Sequence, residues 1–189
     1  LHAYAKASAF TSPHTLAQAL AAPNGQPTAQ WTSALHALVN SPTLAYASEP
    51  LKLPTSWDFA KHAYTMRNVE RDVALLPPMF VAHGVRHGDG IYNQPMHDGF
   101  SYQNVEHVME TATVVMLNAG FVVPALADVS LAMLEAARLP IWLNVYLSRP
   151  GLKRSTQLHT DQQDVFLVQT TGRKRWRVYK PPPPADALH

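Results

Sequence analysis

Residues Gln157 to Tyr179 read QLHTDQQDVFLVQTTGRKRWRVY, and three side chains within that stretch settle the architecture. His159 and Asp161 stand two apart, so on an extended strand both leave the same face. An imidazole and a carboxylate so placed can close on one metal ion. With a second His from elsewhere they make the ligand set of non-haem Fe(II) centres. His-x-Asp alone is common by chance, and the residues after it give it weight. An apolar run, Val165-Phe166-Leu167-Val168, leads to a turn at Thr170-Thr171-Gly172. A second strand follows, in which Arg173, Arg175 and Arg177 alternate with Lys174, Trp176 and Val178. Trp176 and Val178 mark the buried face of a half-buried strand, and Lys174 shares it. A buried lysine must be paired or it loses its charge. A pocket holding His159, Asp161 and an inward Lys174 therefore suits a metal and an anionic ligand. The three arginines are read as a solvated outer face.

Upstream, Ile141 to Leu147 predicts another strand. Ile141, Leu143, Val145 and Leu147 share one face, and Trp142, Asn144, Tyr146 and Ser148 the other. A barrel strand with polar groups toward a ligand cavity has this pattern, and so does a half-exposed edge strand. Its place beside the His-x-Asp strand favours the cavity.

From Asn144-Val145-Tyr146 through Tyr179 the order is N-x-Y, H-x-D, an apolar strand, then Q-x-x-G-x-K-x-W-x-V-Y. That order resembles the JmjC/cupin-like oxygenases of the ribosomal oxygenase type, closely over Leu139 to Pro184 and only in architecture before that. The resemblance implies a double-stranded β-helix, Fe(II), 2-oxoglutarate and hydroxylation of a protein side chain. It implies His159 and Asp161 as catalytic iron ligands, and Lys174 as partner of the distal carboxylate of 2-oxoglutarate. Asn144 and Tyr146 match the polar pair lining the cosubstrate pocket. For this type the hydroxylated residue is a His or Arg side chain of a ribosomal protein. The third ligand, a His on a later strand, is not identifiable. His189 is the only His after His159; it follows a proline run in no strand-like context and is not read as the ligand. The chain is accordingly expected to be a fragment that lacks the C-terminal part of its barrel.

Composition bounds the rest. A length of 189 residues suggests one domain with a helical appendage, and 47% hydrophobic residues suffice for a core. The formal net charge of +2 argues neither for nor against nucleic acid, and much of the basic signal lies between Arg149 and Lys180. The absence of cysteine excludes a disulfide scaffold and a thiolate metal site. An intracellular location, cytoplasm or nucleus, is the expectation. No apolar run approaches the roughly 18 residues of a spanning helix, so no membrane partner is expected.

Leu1 to Ser48 has no acidic residue and is rich in Ala, Ser and Thr. Arginine is absent until Arg67, which argues for a helical segment over a transit peptide. Short helices are predicted over Leu16 to Ala22 and from Pro27 to Val39, where Trp31, Ala34, Leu35, Leu38 and Val39 recur at helical spacing. Glu49 to Pro54 reads as a loop, Ser56 as the cap of a helix over Trp57 to Thr65, and Val69 to Leu76 as weakly patterned. Met79 to Ala82 predicts a strand. His83, His87 and Asp89 follow among glycines that oppose a helix, so they read as surface residues of a strand and turn rather than as a metal site. His97-Asp98 reads likewise as loop. Asn104 is predicted to cap a short helix carrying Val105, Val108 and Met109 inward, and Thr113 to Leu117 to form a strand. Pro124 starts a helix with Leu126, Val129, Met133, Leu134 and Ala137 inward, stopping before Pro140. Lys180 and four prolines end any sheet pairing.

The expected class is α+β: a helical N-terminal segment over 1–65 packed outside a jelly-roll barrel domain over 66–189, incomplete at its C-terminus. Five of the eight or so strands such a barrel needs are legible. The partner is a protein substrate; direct nucleic-acid binding is not expected; a homodimer and a subunit of an assembly both stay open. The alternative is a catalytically silent cupin-like scaffold or binding subunit. Demethylation of methyl-lysine uses the same iron chemistry, and the ligands alone do not separate it from hydroxylation.

Overall fold

The computed structural model describes residues 25–41, 50, 58–87, 90–96, 101–161 and 163–179. The expected helix over Leu16 to Ala22, most of the 49–54 loop, Asp89, His97-Asp98, the proline run and His189 lie outside those residues.

Two antiparallel strands, β1 (Val81–His87) and β2 (Gly90–Pro95), form a hairpin, as the strand-and-turn expectation held. β3 (Val114–Met116) pairs with the other edge of β1, and β4 (Val145–Leu147) with β3, all antiparallel. The order β2-β1-β3-β4 is a single sheet among the described residues, so the class is α+β with an antiparallel sheet; a closed barrel is not seen there. Register puts Val81, Met116 and Val145 in one cross-strand row, and Ala82, Val115 and Tyr146 in the next row on the opposite face. The first face builds the main core with Val69, Val73, Val105, Met109, Val123 and Leu126. Each fully buried valine there contributes about 1.5–3 kcal/mol relative to exposure.

Helices cover that face. α1 (Gly25–Val39) lies against α4 (Pro124–Ala137), where Trp31, Leu35, Ala132 and Met133 form a second buried cluster. Trp31 meets Phe59 edge-on at 5.0 Å. α4 starts at Pro124, whose fixed φ suits a first helical turn, and ends at Arg138 in the left-handed region. α3 (Tyr102–Met109) turns Val105 and Met109 inward. Its cap is Ser101, whose hydroxyl accepts from the Asn104 amide at 3.2 Å; Asn104 itself is not the cap. Among the described residues no helix is long and apolar enough to cross a membrane.

The strand expected over Met79 to Ala82 begins only at Val81, because Pro78–Phe80 is a 3-10 turn opened by proline. Three further expectations need correction. The helix over Trp57 to Thr65 is instead a single 3-10 turn at Asp58–Ala60, followed by His62 at φ 62°. The helix proper, α2 (Met66–Asp72), starts where the other was expected to stop. The reason is local: Asn68 Oδ1 accepts from both the amide and the hydroxyl of Thr65 at 2.8 Å, which makes Thr65 a helix start. The His62 amide, moreover, donates outside any helix, to the Thr170 carbonyl. Second, the strand over Ile141 to Leu147 pairs only at Val145–Leu147, because β3 ends before the left-handed Asn118. The alternation persists without the ladder: Leu143 and Val145 are half-buried, Leu147 is buried, and Trp142, Asn144 and Tyr146 are exposed. Third, the strands expected on either side of Gly172 have no pairing partner among the described residues. A strand acquires a buried face from a sheet, and without one Trp176 and Val178 are 44% and 63% exposed.

Candidate metal and anion site

The exposed end of β4 and the 157–179 segment bring the five expected residues into one cluster. His159 is oriented by its own neighbour: Nδ1 lies 2.8 Å from the Gln157 carbonyl. A carbonyl only accepts, so Nδ1 is the donor of this bond and Nε2 is the nitrogen left to meet a cation. Nε2 lies 3.8 Å from Asp161 Oδ2. Two donors at about 2.1 Å from one ion stand about 3.0 Å apart at right angles and about 4.2 Å apart when opposed, so this separation is within joint reach of one cation. The backbone-bonded imidazole is the arrangement that fixes tautomer and ring plane in metal-ligating histidines.

Tyr146 sits between that pair and the lysine. Burial pushes its phenol above the ordinary value; the Asn144 side chain opposes this by donating a hydrogen bond, and the Asp161 carboxylate adds to the rise. Asn144 is itself held, since its Oδ1 accepts from the Asn118 amide at 2.9 Å. That bond leaves the amide NH2 to serve Tyr146. The left-handed backbone of Asn118, φ 53°, aims the N–H across.

Lys174 closes the cluster. Its Nζ is 4.8 Å from the centroid of the Trp176 ring and 5.7 Å from that of Tyr146. Burial lowers its pKa. Lys174 makes no ion pair among the described residues, whereas Arg149 reaches Glu106 and Glu110 at 4.0 and 3.9 Å. A half-buried ammonium against two aromatic faces, without a carboxylate, is suited to an incoming anion. The alternation expected for this stretch holds at the lysine: Lys174 is half-buried and Arg173, Arg175 and Arg177 are exposed.

Among the described residues no group of three or more His, Asp or Glu gathers about one point. His159 and Asp161 thus form a two-donor set; a second imidazole does not stand beside them there. His83 belongs to β1, half-buried in the row of Val114, and joins no such group.

Two features escaped sequence reasoning. Thr113 and Ser148 oppose each other across β3 and β4, with hydroxyl oxygens 2.8 Å apart, on the same sheet face as Tyr146. The only advance signal was the polar alternation of Tyr146 and Ser148. The second is Thr170, which bonds to the turn before α2 through both its carbonyl and its hydroxyl. A Thr beside a Thr-Gly turn carries no sequence signal for that.

Residues 124–189 match the JmjC domain family. The chain is similar to the bifunctional lysine-specific demethylase and histidyl-hydroxylase NO66 of Drosophila erecta, at 35% identity over 79 residues, which are 42% of this chain and 12% of that protein. The same protein of Drosophila grimshawi is 34% identical over 82 residues, 43% of this chain and 11% of the relative. That of Drosophila melanogaster is 32% identical over 76 residues, 40% of this chain and 12% of the relative. The chain thus matches about a tenth of the length of these curated relatives. No solved structure matches.

Proposed function

We propose, from the match of residues 124–189 to the JmjC domain family, that the chain carries part of an iron- and 2-oxoglutarate-dependent protein hydroxylase. Its substrate is a His or Arg side chain, on a protein of the ribosome. The observation that carries the proposal is the grouping of His159 Nε2, Asp161 Oδ2 and the unpaired ammonium of Lys174 around Tyr146. A jelly-roll barrel is the fold we propose for the whole domain, with β4 as one of its strands.

The donor chemistry fits Fe(II): an imidazole whose Nε2 is left free by the Nδ1 bond, beside a carboxylate, supplies two members of the two-His, one-carboxylate set. When bound, the iron supplies oxygen activation, coupled to decarboxylation of 2-oxoglutarate to succinate and carbon dioxide. The chain's own residues do the rest. The Gln157 carbonyl keeps the proton on His159 Nδ1, so Nε2 stays a ligand. Lys174 holds the distal carboxylate of 2-oxoglutarate through a charge-assisted hydrogen bond in a partly desolvated setting. Tyr146 remains protonated, because burial and Asp161 both resist its ionisation, and its hydroxyl can donate to the same ligand. Asn144, anchored on the Asn118 amide, fixes that hydroxyl.

Of the activities in the relatives' name, histidyl hydroxylation accords with the His-or-Arg substrate proposed. The test is succinate release from 2-oxoglutarate by the iron-loaded chain, offered His-, Arg- and methyl-lysine-containing peptides. Turnover that adds one oxygen to a His or Arg peptide and is lost in His159→Ala and Asp161→Ala is the expected result. Formaldehyde release from the methyl-lysine peptide would replace hydroxylation by demethylation. No succinate with any peptide or with wild-type chain alone would leave the silent-scaffold alternative.

A further inference from the structure

Every described residue from 163 to 179 is exposed except two, Thr170 and Lys174, both half-buried. Lys174 is the proposed anion contact. Thr170 is the point at which this segment is fastened to the rest of the chain. Its carbonyl accepts from the His62 amide at 3.0 Å, and its hydroxyl donates to the Tyr64 carbonyl at 2.9 Å. Both partners belong to one turn, and that turn has a firm base. His62 takes a left-handed conformation at φ 62°, which points its amide away from the chain's own carbonyls. The Tyr64 ring is 6% exposed, and its hydroxyl donates to Asp72 Oδ2 at 3.3 Å. Asp72 is 2% exposed and is held by two bonds from Arg71, at 2.5 and 2.6 Å. On the near side, Gln169 Nε2 donates to the Thr171 carbonyl at 2.7 Å, and Gly172 at φ 72° turns the chain toward Lys174.

We propose that Thr170 and the His62–Tyr64 turn form a clasp that positions Lys174, so that this docking sets the affinity for a dicarboxylate such as 2-oxoglutarate. The inference rests on Lys174 as the anion contact. A lysine on an unpaired exposed segment must be ordered at the moment the ligand arrives, and that ordering subtracts from affinity. The clasp orders it beforehand. Among the described residues Thr170 bonds only to the His62–Tyr64 turn and would act through Lys174, as a positioning residue.

The test uses the full chain as wild type, Thr170→Val and Thr170→Ser. Each is loaded with Mn(II) and titrated with 2-oxoglutarate, followed by tryptophan emission, since the Lys174 ammonium lies on the Trp176 ring. Amide hydrogen exchange is measured in parallel. Thr170→Val is expected to weaken 2-oxoglutarate about tenfold and to raise KM for it more than it lowers kcat. Exchange should quicken at the His62 amide, which donates to the Thr170 carbonyl, with β1 and β3 still protected, and Thr170→Ser should restore both. Wild-type affinity together with unchanged exchange in Thr170→Val would overturn the clasp. So would a loss of affinity that Ser fails to restore while exchange stays unchanged. Should wild type itself show no saturable 2-oxoglutarate response, the oxygenase proposal falls, and the exchange comparison alone still decides whether Thr170 fastens the segment.

Discussion

Replacing Lys174 by Ala separates its role in binding from its role in folding. In the free protein its ammonium has two cation–π contacts, at 4.8 Å to Trp176 and 5.7 Å to Tyr146. Each is worth about 0.5–1 kcal/mol at partly exposed sites. Burial of the charge works against them, as its lowered pKa records. The two effects oppose each other, so the change in folding free energy should stay within about 1 kcal/mol. Binding is different, because nothing else described in the cluster carries a positive charge for a carboxylate. A hydrogen bond to a charged group is worth about 1.5–3 kcal/mol, which converts to a roughly 10- to 150-fold rise in Kd for 2-oxoglutarate. Arg175→Ala, on the exposed side of the same segment, should change Kd by no more than about twofold. Calorimetric titration with 2-oxoglutarate in the presence of Mn(II) measures both. Equal losses in the two variants would refute the assignment of an inner and an outer face. The sign with pH follows from the charge. A lysine with lowered pKa loses its proton below the ordinary value of about 10.4, so wild-type affinity should fall as pH rises toward that value, while Lys174→Ala stays flat.

Asp72→Ala orphans the Tyr64 hydroxyl and returns Arg71, 61% exposed, to water; a loss of about 1–3 kcal/mol is expected in urea unfolding. Tyr64 has its pKa raised, first by burial and then by the charge of Asp72. Its folded state therefore resists ionisation, so its share of stability is complete below the unfolded value of about 10 and declines as pH rises beyond it. Tyr64→Phe should remove that alkaline decline, seen as a flatter melting temperature between neutral and alkaline pH. At Gly120 a Cβ would collide with Ser130 Oγ and stand 3.0 Å from Leu143 Cβ, so Gly120→Ala should cost about 1–3 kcal/mol. Ser130→Ala removes a buried hydroxyl with no partner among the described residues and should leave stability level or raise it by up to about 1 kcal/mol; a clear loss would mean that the hydroxyl is bonded in solution.

What could be read in advance was whatever depends on near neighbours. α4 runs from Pro124 to Ala137, as its periodicity and proline boundaries required, although Leu134, expected inward, is 45% exposed. β3 followed from its β-branched run and the faces of β4 from simple alternation, whereas the strand expected from Met79 starts two residues later, at Val81. His-x-Asp needed only its own spacing to bring Nε2 and Oδ2 together. The 57–72 region was misread because two forces lie outside any window: the capping of Thr65 by Asn68, where an Asn stands in for the usual Glu or Gln, and the diversion of the His62 amide to Thr170. The burial expected of Trp176 and Val178 presupposed a sheet that the described residues do not supply.

The hydroxyl of Thr170 reaches a carbonyl 106 positions upstream. A growing chain leaves the ribosome N-terminus first, at about 5–20 residues per second, so the turn at His62 waits several seconds for its counterpart to be synthesised. Closing so long a span has an entropic penalty that rises with the logarithm of its length, and among the described residues two hydrogen bonds at Thr170 and the Lys174–Tyr146 contact offset it. In the mature molecule the same link belongs among the first to open under mild warming, well before the sheet melts. Cosubstrate capture would then fade reversibly at temperatures where circular dichroism still reports a native fold.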